Sequence, residues 1–418
     1  MNLPAMVKIK QRFDNTPIAD IDRAVADEFA RNQVHARIRP GQRVAVTAGS
    51  RGINNIARIT GAIVGELKHI GAEPFIVPAM GSHGGATAEG QAALLAHLGI
   101  SGETMQAPVL SSMETVSVGE TTEGFPVFID KNAHDADHII VVNRIKPHTD
   151  FVGDHESGLL KMLAIGLGKQ KAADLYHCLA LEHGHFKVIT SAARLILDRY
   201  PITFGIGIVE DQRDATTIIE MLPRERIVER ERDLLVKAKE FFPRIPFAEF
   251  DILIVDQMGK TFSGTGMDQK VIGRTVVPYH VVPDVPKISR IFVRDMSAES
   301  EGNATGLGNA DFTTSRLVGR IDRAYSYMNS LTASSPEIIR IPPYFDRDDE
   351  CLENCITTLP FTAKPDPRIV HIRNTLHLET MYVSANLLGE VGTNPGLEVL
   401  SEPKPFVFDD SGNIVQPT

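Results

Sequence analysis

The stretch Arg43–Ser82 reads RVAVTAGSRGINNIARITGAIVGELKHIGAEPFIVPAMGS, and its three parts decide the fold. RVAVTAG is a β-rich run stopped by glycine. Asn54–Gly71 then carries apolar residues at helical spacing and ends on a glycine suited to cap the helix. EPFIVPAMGS returns to a strand and a loop. Strand, helix, strand is the unit of a parallel sheet. Further on, TAEGQAALLAHLGI (Thr87–Ile100) predicts a short helix with Thr87 as its N-cap. His134–Ile145 and Ile202–Asp211 read as strands, and Arg230–Phe242 as a charged amphipathic helix. The expected class is α/β, with two domains, largely parallel sheets and a site in the cleft between them.

At 418 residues the chain exceeds one typical core. A second domain is expected from about residue 246, where FDILIVDQMG is apolar almost throughout, as a strand covered on both faces should be. Pro243 stops the preceding helix and Pro246 keeps the linker extended. The expected division is therefore 1–245, 246–400 and a tail, 401–418, that packs back on the first domain or hangs loose. Ile288–Met296 and Arg368–Thr375 read as further strands, and Ser315–Thr332 as a helix. There is no internal repeat.

A formal charge of −10 excludes a nucleic-acid binder that relies on a cationic surface. No apolar run reaches the roughly 18 residues of a membrane span. MNLPAMVKIKQRFDN has no apolar signal core, so a cytoplasmic protein is expected. Cys178, Cys351 and Cys355 give an odd count and no disulfide framework. The pair in ECLENC reads as two ordinary helix-face thiols rather than a zinc half-site.

Chemistry is sought in the polar loops after strands. In TAGSRGI, Arg51 could clamp a carboxylate, although a plain turn with a surface arginine reads equally well. In PAMGSHGGATAEG, His83 stands among small residues, placed for acid–base work or for a structural turn. RIKPHTDFVGDHESGLLK (Arg144–Lys161) packs His148, Asp150, Asp154, His155 and Glu156 ahead of a lysine in an apolar frame. A divalent-metal site or a solvated acidic loop would each fit Asp150 and Asp154. DLYHCLALEHGHF holds His177, His183 and His185, which could be ligands or ordinary surface histidines; HExxH is absent.

Taken together, GSHGG with His83, KPH with His148, SGLLK with Lys161, and a histidine sixteen residues beyond that lysine resemble the lactate racemase family. The resemblance covers roughly the first 200 residues, and SGTGMDQ (Ser263–Gln269) looks like the family's later glycine-rich loop. It implies a nickel-pincer nucleotide tethered through Lys161, in the context of Ser157 and Gly158, with His177 as nickel ligand. His83 and His148 would be the acid–base pair. Arg51 would meet the substrate or cofactor, and Lys169, beside Lys171, the cofactor's phosphate. Asp268 and Lys270, or Arg274 in its place, would meet the substrate. The implied reaction is racemisation or epimerisation of a 2-hydroxy acid by reversible hydride transfer, with cofactor-maturation proteins as partners. Ala48-Gly49-Ser50 stands where the family has an Asp and a His, so the expected substrate is not lactate itself. Two other classes fit the histidines: a metal-dependent hydrolase or lyase, and a non-catalytic hydroxy-acid or sugar-binding protein.

Overall fold

The computed structural model describes residues 3–50, 52–149 and 151–415. They fall into two compact units, one of Asn15–Phe242 and the other of the residues up to Asp14 together with those from Pro243 onward.

In the first unit five strands lie side by side in the order Glu73–Pro78, Arg43–Ala48, His138–Arg144, Ile202–Glu210, Thr216–Pro223. The first four run parallel and the last antiparallel. Alternation along a strand explains the two layers of core. Val44, Val46 and Ala48 face a cluster with the helices Ile21–Arg31 and Ile56–His69, while Ala45 faces one with Leu159, Leu163, Tyr176 and Leu234. With both faces covered, the strands are apolar almost throughout. Thr87 caps the helix Ala88–His97 by accepting from Gly90 N at 3.0 Å, and Gly71 follows the helix Ile56–His69 with φ +80°, both as the sequence predicts.

The second unit is built on eight strands in the order Tyr344–Phe345, Phe312–Thr314, Lys287–Met296, Glu249–Met258, Ile369–Ile372, Thr380–Ser384, Met6–Gln11, Leu397–Val399. The first five are parallel; each later strand is antiparallel to its neighbour. Cys351 and Cys355 lie in the core face of the helix Asp348–Thr357, and burial pushes the Cys351 thiol up to about 12.

Three expectations need correction. The N-terminal residues belong to the second unit, because MVKIKQ supplies a strand between Thr380–Ser384 and Leu397–Val399. The tail also packs there, not on the first unit. Lys404 pairs with Met6, and Ile414, in a small hairpin, joins the core of Cys351 and Ile252. Ser315–Thr332 is two helices, Ser315–Val318 and Arg323–Thr332, since Gly319 ends the first and the Asp322 carboxylate caps the second.

Candidate functional site

The loops after Arg43–Ala48, Glu73–Pro78 and His138–Arg144 leave the carboxyl ends of adjacent parallel strands, where open α/β sheets place their ligands. The first two loops touch: Ser50 Oγ and His83 Nδ1 are in hydrogen-bond contact. The Gln91 amide donates to the carbonyls of Gly81 (2.9 Å) and His83 (3.2 Å), fixing the turn beneath an exposed His83 ring.

The third loop is held by a buried carboxylate. Glu156 accepts from the backbone N of His148 at 2.7 Å and of Gly153 at 3.3 Å, and Lys239 reaches it at 2.7 Å. The loop closes where Lys146 and Ser157 exchange backbone hydrogen bonds. The chain then enters a short helix, Leu159–Lys161, which widens at once into a π-helix over Met162–Gly166. π-Turns sit frequently at functional sites, and here one begins directly after the half-buried Lys161. Lys161 Nζ lies 2.5 Å from His148 Nε2. The His148 ring stacks on Phe151 (4.4 Å between centroids) and, at 6.4 Å, on His185. His185 in turn lies parallel to Phe151 and 6.0 Å from His177, edge to face. A lysine amine, three imidazoles and a phenylalanine are thus linked in one run of contacts.

Residues 5–187 match the family model described as the lactate racemase N-terminal domain. Over this stretch, somewhat under half of its length, the chain is similar to the N-terminal domain of the lactate racemase family. Among solved structures, it is similar to the lactate racemase apoprotein from Thermoanaerobacterium thermosaccharolyticum, with 12% identity and a TM-score of 0.46 over 82% of this chain and 98% of that one. No curated protein matches.

The predicted residues have different fates. Lys161, His148, His177 and His185 come together, as above. His183 does not join them: it ends the helix Lys169–His183 exposed, and Gly184 (φ +80°) turns the chain so that His185 opens the next helix. Ser157 and Gly158 lead into the lysine's helix, and Asn143 donates to the Gly158 carbonyl at 3.0 Å. Arg51 and Asp150 lie outside the described residues.

Lys169 is a correction. Its side chain is fully buried, 3.0 Å from Asp130 Oδ2 and 3.2 Å from Gln91 Oε1, and it donates to the Pro78 carbonyl. Burial holds the Lys169 ammonium below the ordinary lysine range and the Asp130 carboxyl above its own, each partly offset by the other. An amine closed in that box braces the sheet and has no path to a phosphate. Lys171 is exposed but lies over the Phe128 ring at 4.1 Å. In the other unit, Asp268 caps the helix Gln269–Ile272 by accepting from Lys270 N at 2.9 Å. Lys270 is buried, and Arg274 is committed to Asp311 at 2.5 Å. Among the described residues no three His, Cys, Asp or Glu side chains come together as a metal-binding group, so the hydrolase reading through His83, His148, His183 and His185 has no such centre there.

The sequence reading missed Phe151, Glu156, Lys239 and Glu231. Glu156 looked like one more acid in a polar loop, yet it is 1% exposed. An acid three residues ahead of a buried helix start was the available signal. No helix among the described residues is long and apolar enough to cross a membrane.

Proposed function

We propose that the protein racemises or epimerises a 2-hydroxy acid, with Lys161 as the attachment point of a nickel-pincer nucleotide and His177 as the imidazole that meets its nickel. The observation that carries this reading is the placement of Lys161 at the mouth of a π-helix, touching His148 and reaching His177 through His185, in a stretch similar to the N-terminal domain of the lactate racemase family. The residues fit the group. The amine is half-buried rather than sealed in the sheet like Lys169, and acylation would remove the charge from a lysine otherwise followed by Met162, Leu163 and Ala164, all buried. When bound, the cofactor supplies an acceptor for the hydride from C2.

What remains is proton transfer and binding. His148 Nε2, released once the lysine nitrogen is an uncharged amide, takes or returns the proton of the substrate hydroxyl. His83 does the same for the opposite enantiomer, with Ser50 on Nδ1 orienting its ring. Phe151, packed against both His148 and His185, would keep water from their apolar side. Arg51 is proposed to meet the substrate carboxylate. Proteins that make and insert the cofactor are the expected partners.

Intact-mass analysis of protein isolated with the cofactor-making machinery, peptide mapping of 145–170 and a nickel assay test this directly. A mass addition on Lys161 with bound nickel, followed by interconversion of a 2-hydroxy acid's enantiomers or epimers, is the expected result. An unmodified Lys161 under those conditions overturns it.

A further inference from the structure

Gly158 raises a question that the backbone does not answer. Its φ of −176° is extended and open to any residue. Space is what demands glycine: a Cβ there would lie 2.7 Å from Cδ of Glu231 and 2.8 and 3.0 Å from its two oxygens. Glu231, on the helix Ile227–Glu240, is 1% exposed. One oxygen accepts from Leu160 N at 2.9 Å, and the other from the ring N–H of His155 Nδ1 at 3.1 Å. His155 is itself buried, with its ring parallel to Phe186. About two turns along the same helix, Lys239 pairs with Glu156, the carboxylate that holds the backbone of His148.

We infer that Glu231 is a positioning residue. Its carboxylate sits in the space left by Gly158, ties Leu160 to His155, and thereby sets the turn from which Lys161 meets His148. Lys239 performs the matching task for the His148 side through Glu156. A single helix thus aligns both partners of the 2.5 Å Lys161–His148 contact, and the glycine of SGLLK serves the carboxylate behind the helix. This rests on the proposed function only for its purpose; the alignment is testable without cofactor.

The test is limiting acetic anhydride on the whole, cofactor-free chain, with peptide mass mapping of Lys161 acylation relative to Lys171 and circular dichroism to confirm folding. An amine that can pass a proton to His148 is acylated faster than an isolated ammonium. Loss of alignment by about 1 Å can cost up to about a hundredfold, so Glu231→Ala and Gly158→Ala should each lower the Lys161:Lys171 ratio at least tenfold, as His148→Ala does. Glu231→Gln keeps an acceptor for Leu160 N–H and should restore the wild-type ratio. Because Gly158→Ala displaces the carboxylate that Glu231→Ala removes, the double variant should be no worse than either alone. A wild-type ratio in Glu231→Ala or in His148→Ala overturns the inference. If Glu231→Ala fails to fold, Gly158→Ala against Glu231→Gln decides it. A protein that never takes up the nickel-pincer nucleotide would overturn the proposed function and leave this labelling result standing.

Discussion

Lys161 and Lys169 stand eight positions apart in one apolar stretch, and the structure gives them opposite jobs. Lys161 is half-buried against an imidazole; Lys169 is sealed against Asp130 and Gln91. Removing one partner of a buried pair strands the other charge, typically at a cost of about 3–5 kcal/mol. Lys169→Met should therefore lower stability by about that amount in urea titrations while Lys161 still takes up the cofactor. Loss of uptake without loss of stability would return Lys169 to the phosphate role. Lys161→Ala should abolish the mass addition altogether. His83→Ala and His148→Ala should keep it and lose turnover of both enantiomers by about 10²–10⁴-fold, the usual range for an acid–base group; normal racemisation by either would remove that histidine from the mechanism. Thiol chemistry separates the cysteines in the same way. Cys178 is exposed and should react with a maleimide in the native state, whereas Cys351 and Cys355, buried and with raised pKa, should react only on unfolding.

Among the elements, one helix start was legible from its cap. Thr87 before AEGQAALLAH is an N-cap by residue type and by geometry. It also borders the His83 turn, since its hydroxyl lies 3.3 Å from the Gly84 carbonyl. Thr87→Ala should cost about 1 kcal/mol, the typical value for a lost cap, read from the shift of the denaturant midpoint; no shift would mean that the cap contributes nothing. The π-helix at Met162–Gly166 was not legible. Its residues, MLAIG, read as any apolar helix would, and nothing in them marks the close approach at Gly166, where a Cβ would lie 2.7 Å from the Ala79 carbonyl. The helix expected over Ser315–Thr332 failed for a similar reason. A glycine inside a periodic run is tolerated by the pattern, whereas here the Asp322 carboxylate starts a new helix.

For the whole molecule, one contribution to acid stability comes from Asp256 in the second unit. Asp256 is buried, which by itself raises its pKa; the hydrogen bond to His371 and the neighbouring Arg294 outweigh that, and the carboxyl ends below the ordinary range. A carboxyl depressed on folding contributes stability that is present above its unfolded value of about 3.9 and is lost as pH falls through the lower folded value. Asp256→Asn should therefore be less stable than wild type at neutral pH, with the gap closing below about pH 4. Far-UV circular dichroism is the readout, since the chain has no tryptophan. A gap that stays constant down to pH 2 would mean that the charge is irrelevant.

By itself the sequence determined the α/β class, the parallel core strands and the order of His83, His148, Lys161 and His177, because periodicity and residue type act locally. Tertiary structure decided the rest. It alone placed MVKIKQ and the tail in the second unit, because strand pairing spans hundreds of residues and leaves no local mark. It also closed Lys169 into the sheet and turned His185 rather than His183 toward His148. Burial and direction are properties of what packs opposite a residue, and a residue's own neighbours in sequence do not contain them.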